Sequence, residues 1–426
     1  MSFVKVKGTY DVLPSESKKW QALEDYVRYL FNLYNYEEIR TPIMEYKEVI
    51  HRESEQSDTV TKETYNFKDK GDRDITLRPE GTAGVIRSYV ENKLYADQEV
   101  SKLYYIGPNF RYERPQRGRF RQFMQFGIEA IGSNDPSLDA EVIALAYDTI
   151  ASLDLKGVVV KVNTLGDDKS KEQFKQALVN YLLPFENQLS EDSKQRLHKN
   201  PLRILDSKDP QDKDIVKHAP KPIDHLTEEA KSFFDQVIFL LKQLKVPVEL
   251  DPQLVRGLDY YSHTVFEIQA QIEGFGSQNA LGGGGRYQSL VKELGGPDLP
   301  GIGFAFGMER LLLALEAEGL NIAEEDPVDV YFIAMDQKSK TIAQVLMQHL
   351  RSYGFKTDMN YSNKAFKGQL KHALRLGSQY MAIIGEDELN ENVVSLKNTQ
   401  TQQQEKVAFE HLADHLLNLK EQESDV

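Results

Sequence analysis

Apolar residues recur at helical spacing through residues 17–34, where Trp20, Leu23, Val27, Leu30 and Phe31 share a face, so the spacing predicts an amphipathic helix. A strand-like stretch follows at 39–43, broken by Pro42. Residues 51–70 open His-Arg-Glu-Ser-Glu-Gln-Ser-Asp, carry no apolar period and read as a mobile loop. A strand is expected at 74–77, and Arg78-Pro79-Glu80-Gly81-Thr82 turns it into a helix running to Val90. Two strands, 103–112 and 120–131, then flank a loop crowded with arginine. Along the second, Phe120, Met124, Phe126, Ile128 and Ala130 fall on one face at period two, while Arg119, Arg121, Phe123, Gln125, Gly127 and Glu129 fall on the other. One face belongs to a core; the other floors a polar site.

Beyond a strand at 158–162 the texture changes. From about 166 to 226 the chain is charged, helical in pattern and punctuated by Pro184, Pro201, Pro210, Pro220 and Pro222. That shift predicts an inserted helical domain, bounded approximately at 166–245. Strand-and-glycine texture returns from 248 to 307, with a strand at 264–268 and a helix at 308–318. Glu324-Glu325-Asp326-Pro327 marks a boundary between domains of residues 1–325 and 326–426. In the second, strands at 328–335, 356–359, 380–384 and 393–396 alternate with helices at 338–353, 363–376 and the end of the chain. This βαβαββα order implies an α/β domain of its own.

Composition narrows the class. A length of 426 residues suits two or three domains, and 40% apolar with 28% charged residues is a globular balance. The formal net charge of −14 excludes coating nucleic acid by bulk charge, so any polyanion must meet local patches. The absence of cysteine excludes disulfides, thiolate metal sites and cysteine nucleophiles. The start of the chain lacks the apolar core of a signal peptide, and no apolar run approaches the roughly 18 residues of a membrane span. A soluble cytoplasmic protein without membrane contact is expected.

Candidate chemistry gathers in a few stretches. Arg111-Tyr112-Glu113-Arg114-Pro115-Gln116-Arg117-Gly118-Arg119-Phe120-Arg121 holds five arginines and one glutamate. A solvated charge run is the plainer explanation of such a stretch alone, but the polar strand face beside it favours phosphate, which guanidinium groups bind bidentately. Glu80 and Thr82 sit where a strand turns into a helix, and Glu80 also suits the first helical turn. In Leu254-Val255-Arg256-Gly257-Leu258-Asp259-Tyr260-Tyr261 an arginine between apolar neighbours needs an anion, from a ligand or from an ion pair such as Asp259. Leu281-Gly282-Gly283-Gly284-Gly285-Arg286-Tyr287 lacks the Gly-Lys-Ser/Thr ending of a P-loop. Residues 301–310 miss dinucleotide spacing by one residue, against a nicotinamide dehydrogenase, yet let a ligand approach the backbone beside Arg310. The nine histidines suggest no metal site; His411 and His415, four apart, fit a surface helix face. No Gly-x-Ser-x-Gly elbow is present.

Together these segments resemble a class II aminoacyl-tRNA synthetase, and closely the bacterial type of the histidyl-tRNA synthetase family. Pro42 and its flanks look like motif 1, Phe110 through Glu129 like motif 2, and Gly301 through Leu313 like motif 3. Leu254 to Glu267 and Leu281 to Tyr287 are similar to the two histidine-specific motifs. The resemblance runs from Gly8-Thr9-Tyr10-Asp11 into the last domain. It implies an α+β fold: a six- or seven-stranded antiparallel sheet flanked by helices, a helical insertion and a C-terminal α/β anticodon-binding domain. It also implies a homodimer built through motif 1, and a ligase that makes histidyl-adenylate from L-histidine and ATP, then charges tRNA(His).

By the matching motifs, Arg111 holds the α-phosphate, Arg256 stabilises the charge of attack, Arg310 holds the terminal phosphates and Glu113 helps place ATP. Mg2+ accompanies the pyrophosphate. Glu80 and Thr82 take the α-ammonium group, Gln125 the carboxylate, and Glu129 with the tyrosines Tyr260 and Tyr261 the imidazole. A pocket that satisfies both ring nitrogens needs no editing domain, which leaves the insertion to grip the acceptor arm. Arg114 and Gln116 would read the acceptor end, and Lys364, Lys367, Lys371 and Arg375 recur at helical spacing in the last domain as a stripe that can track phosphates or simply be solvated. Two rivals remain in view. A non-catalytic regulatory relative of ATP phosphoribosyltransferase is disfavoured by Arg256 and by the hundred residues after Asp326; a synthetase for threonine, proline or glycine is disfavoured by Arg-Gly-Leu-Asp-Tyr-Tyr.

Overall fold

Pro14 presets the backbone of a first helical turn and has no N–H to leave unpaired there. The helix that starts on it, α1 (Pro14–Leu33), buries Leu23, Val27, Leu30 and Phe31, the face expected from the spacing. The structure is a computed structural model describing residues 3–52, 57–205, 207, 209–272, 279–323, 327–362 and 364–424. The chain divides into two compact units, residues 1–323 and 324–426.

In the first unit α1 is followed by β1 (Glu37–Glu38), β2 (Met44–Tyr46), α2 (Lys47–Ile50), α3 (Asp58–Thr61), β3 (Tyr65–Lys68) and β4 (Asp74–Leu77). Residues 39–43, expected as a strand, form none; Pro42 has no N–H for a ladder, and short strands on either side take the pairing. Part of the stretch expected as a mobile loop is ordered as α3 and β3, with β3 paired along β4; residues 53–56 of that stretch lie outside the described residues. Next come α4 (Thr82–Glu91), β5 (Ser101–Phe110), β6 (Gln122–Ile131), α5 (Pro136–Ala151) and β7 (Val159–Thr164). The inserted stretch contributes α6 (Asp168–Leu182), α7 (Glu191–Lys199), α8 (Pro210–Val216) and α9 (Glu228–Gln243). The unit closes with β8 (Val248–Leu250), β9 (Tyr261–Gln269), β10 (Ala280–Tyr287), α10 (Leu290–Glu293), β11 (Gly301–Gly307) and α11 (Met308–Ala317).

Its main sheet has the order β1-β5-β6-β11-β10-β9-β7-β8. The six strands from β5 to β7 form the antiparallel run expected, and β1 and β8 add a parallel pairing at each edge, which brings the sheet to eight. On one face Phe31, Phe126, Ile143, Val237, Phe304 and Leu311 join in a single core contributed by α1, α5, α9 and α11. The Phe31 ring meets Tyr104, Phe126 and Phe304 edge-on, each such pair contributing about 0.5–1.5 kcal/mol beyond burial. Glycine is required where β10 and β11 press together, because a Cβ on Gly284 would fall 1.8 Å from the Gly303 carbonyl oxygen. The inserted helices have a separate core of Phe174, Leu178, Leu182, Leu189, Leu197, Ile204 and Val216, whereas α9 buries Phe234, Val237 and Leu241 in the core of the sheet.

The second unit holds β12 (Val330–Ala334), α12 (Gln337–Ser352), β13 (Thr357–Met359), α13 (Phe366–Arg375), β14 (Tyr380–Ile384), α14 (Glu386–Glu391), β15 (Val393–Asn398), β16 (Gln404–Ala408) and α15 (Leu412–Ser424). Its sheet order is β13-β12-β14-β15-β16. The pattern missed α14 and β16; β16 buries only Val407 fully and starts in the polar Gln400–Gln404 run, so it offers little period. The helix expected at 363–376 starts at Phe366, which places Lys364 before it, and Asn363 lies outside the described residues. Among the described residues no helix is long and apolar enough to cross a membrane.

Candidate active site

Side chains alternate across a strand, so the face of β6 opposite Phe126, Ile128 and Ala130 carries Phe123, Gln125 and Glu129. These three line a cavity of about 840 Å3 over the open face of the main sheet.

Glu129 is 1% exposed. The Thr82 hydroxyl donates to its Oε1 at 2.6 Å and the Tyr287 phenol to its Oε2 at 2.9 Å. Burial pushes this carboxyl up to about 8, overcoming the two hydrogen bonds, with the charge of Glu80 adding to the rise. Gly303 lies opposite Glu129 on β11, and a Cβ there would stand 2.2 Å from Oε2, so glycine makes room for the carboxyl. Glu80 accepts from the backbone N–H groups of Thr82 and Ala83, both at 2.8 Å, and so caps α4 while facing the cavity. Tyr260 and Tyr261 join this set with ring centroids 4.7 Å apart. Burial raises both phenols, that of Tyr261 to about 12, so both remain O–H donors at neutral pH. The Gln125 amide oxygen accepts from Asn109 at 2.7 Å.

Guanidinium groups line the same cavity. Arg111 donates through Nε to the Pro79 carbonyl at 2.9 Å and lies 5.2 Å over the Phe123 ring. Arg256 donates to Glu267 at 2.9 Å, while its buried Nε–H has no partner. The ion pair weighed for Arg256 with Asp259 does not form; Asp259 is taken by Arg203 of the inserted helices. Arg310 is drawn below the usual guanidinium range by burial first and by the charge of Arg119 second. Glu113 pairs with Arg119 at 3.5 Å. The structure thus brings Glu80, Thr82, Gln125, Glu129, Tyr260 and Tyr261 into one cavity with Arg111, Glu113, Arg256 and Arg310. Arg114 and Gln116 are exposed and lie outside its lining.

Two groups escaped the sequence reading. Tyr287, the last residue of a glycine-rich stretch, is the second donor to Glu129, and its neighbour Arg286 is the one charged residue of that stretch. Glu309 accepts from the Tyr10 hydroxyl and, at 2.7 Å, from the Met124 N–H, which ties the start of the chain to the helix that carries Arg310. Spacing carries no signal for a contact across 299 residues.

A family model described as histidyl-tRNA synthetase matches residues 8–311, and one described as an anticodon binding domain matches residues 329–419. A histidine–tRNA ligase of Acholeplasma laidlawii is 64% identical over 98% of this chain and 100% of its own length. One of Anoxybacillus flavithermus is 48% identical over 98% of this chain and 99% of its own. The crystal structure of apo S. aureus histidyl-tRNA synthetase superposes with a TM-score of 0.84 at 42% identity, covering 97% of this chain and 100% of that one.

Proposed function

Because the chain belongs to the histidyl-tRNA synthetase family, we propose that its cavity activates L-histidine with ATP and that the chain then passes the histidyl group to the 3′ end of tRNA(His). In the first step a carboxylate oxygen of histidine attacks the α-phosphorus in line, the bond to the bridging oxygen breaks, and pyrophosphate leaves. In the second, a hydroxyl of the terminal ribose attacks the carbonyl of histidyl-adenylate and AMP leaves. Neither step needs a covalent enzyme intermediate, so the protein contributes position and charge.

Arg256, which lines the cavity and keeps one N–H without a partner among the described residues, stabilises the charge that builds at the α-phosphate, and Arg111 holds that phosphate from the floor. Arg310 takes the terminal phosphates, and Glu113 helps place ATP. Glu113 and Glu267, two of the carboxylates that line the cavity, would hold Mg2+ beside the phosphates, since one or two carboxylates plus substrate phosphates suit this ion. When bound there, the ion would offset the charge of the pyrophosphate. Glu129 and the phenols of Tyr260 and Tyr261 meet the imidazole, Glu80 and Thr82 the α-ammonium group, and Gln125 the carboxylate. Arg114 and Gln116, exposed on the hairpin, meet the acceptor end of the tRNA. In the second unit the exposed Lys367, Lys371 and Arg375 recur every four residues on α13, with Lys364 just before it, and track phosphate near the anticodon. The chain works in the cytoplasm as a homodimer, whose interface covers the exposed Ile43, Met44, Tyr46 and Phe67.

One observation carries the reading: a single cavity is lined both by a buried carboxyl with two hydroxyl donors and by Arg111, Arg256 and Arg310. The non-catalytic alternative has no use for Arg256 or for the matched anticodon-binding domain. ATP–pyrophosphate exchange measured with each of the twenty amino acids tests the proposal. Exchange is expected with histidine alone; exchange with threonine or proline, or with none, overturns it.

A further inference from the structure

The inserted helices bond directly to the stretch that carries Arg256 and reach the hairpin that carries Arg111 through α3 and the segment after it. Arg203 lies in the turn Pro201–Ile204 that follows α7. Its Nε and Nη2 donate to Oδ1 of Asp259 at 3.1 and 2.8 Å, and the Asn200 amide donates to the same oxygen at 2.9 Å. Both side chains of the ion pair are mostly buried, 14% and 15% exposed. Asp259 belongs to the irregular stretch between β8 and β9, three residues after Arg256. The upstream end of that stretch is tied where Asn163 donates to the Leu254 carbonyl at 3.0 Å, and around Gly257 there is open space. A second tie runs from Arg196 on α7 to Asp58 on α3 at 2.6 Å. The segment after α3 in turn accepts the Tyr112 N–H at Glu63, beside Arg111.

We propose that Arg203 is a positioning residue for histidine activation: by holding Asp259 it fixes the turn that presents Arg256 and keeps that carboxylate from neutralising it. The proposal rests on the role given to Arg256 above. Removing one partner of a pair this buried also costs stability, so the melting curves separate that cost from the effect on geometry and charge. Without Arg203 the Asp259 carboxylate keeps the Asn200 amide but loses that cation three residues from Arg256, and charge-assisted pairing is strong enough to pull a guanidinium away from a phosphate. The inserted domain then serves the first step of the reaction, before any tRNA is bound.

The test is histidine-dependent ATP–pyrophosphate exchange without tRNA, on the full chain, with melting curves to check folding. Arg203→Ala should lower kcat about 10- to 100-fold, the scale of a misplaced reacting group, with the KM for histidine nearly unchanged. Asp259→Asn keeps Oδ1 as an acceptor and removes the charge, so its loss should be smaller. The double variant Arg203→Ala/Asp259→Asn should recover most of what Arg203→Ala loses, because Asp259 no longer competes with Glu267 and the phosphate for Arg256. Full exchange in Arg203→Ala, or a double variant no better than the single one, overturns the proposal while Arg256→Ala is inactive. Normal exchange in Arg256→Ala overturns the assignment of Arg256 and this proposal with it.

Discussion

The two groups of residues that line the cavity, the set around Glu129 and the arginines, are built to opposite plans. Around Glu129 the polar groups are already spent on one another: Thr82 and Tyr287 occupy the two oxygens of Glu129, and Glu80 is held by two backbone N–H groups. In the other group the cations rest on makeshift partners: Arg111 on a carbonyl and a ring, Arg119 on Glu113 at 3.5 Å, Arg256 on Glu267 with an N–H to spare. The contrast follows from what each group receives. An imidazole ring brings little charge, so shape and fixed donors must recognise it, and a rigid network does that at small entropic cost. A triphosphate brings its own charge, and the arginines must tolerate one another until it arrives.

The sharpest way to break this comparison is to remove one cation. Arg256→Ala should lower ATP–pyrophosphate exchange by about 10^2–10^3-fold, the loss typical of one preorganised charge-stabilising donor, while the melting temperature stays close to that of the unmodified chain. Normal exchange would mean that the unused N–H serves something else. Changing the other group should affect the other substrate. Glu129→Gln should reduce kcat/KM for histidine about tenfold, the worth of one neutral hydrogen bond, and leave the KM for ATP nearly unchanged. Equal changes in both KM values would show that the two groups are not separable. The hairpin tip sharpens the contrast further, since it is exposed and outside the cavity lining. Arg114→Ala should slow histidylation of tRNA about tenfold with exchange unaffected; a matching loss of exchange would bring Arg114 into the adenylation step.

How much of this was legible in the sequence divides along the same line. Period-two alternation in β6 separates Glu129 and Gln125 from Phe126 and Ile128 without any structure, and the hairpin announces its arginines by density alone. Local signals also place α1, β4 and α4 within a few residues. What stays hidden depends on contacts between distant residues. Tyr287 and Glu129 are 158 positions apart, and Arg203 and Asp259 are 56 apart. Proximity in sequence suggested Asp259 as the partner of Arg256, but three residues along an irregular turn do not decide where a side chain points, and a cation from the insertion claims it. β3 is hidden for another reason: three of its four residues are exposed, so no apolar period is needed to pair with β4.

The smallest expected effect tests whether the set around Glu129 is prebuilt before any ligand arrives. Burial raises this carboxyl from its ordinary 4.5 to about 8 in the folded chain, against the pull of Thr82 and Tyr287. Between those two values the folded protein holds a proton that the unfolded chain has released. Stability must then fall as pH rises through that window, by at most about 1.4 kcal/mol per pH unit for one proton. The stabilising contribution is complete below the unfolded value and is gone above the folded one. Glu129→Gln has no proton to lose, so the fall in melting temperature between pH 5 and 8 should be shallower in this variant by a few degrees. Parallel curves for the two proteins would mean that Glu129 is ionised in the empty cavity. The hydroxyl donors, not burial, would then set its charge, and the site would meet the imidazole as a carboxylate from the start.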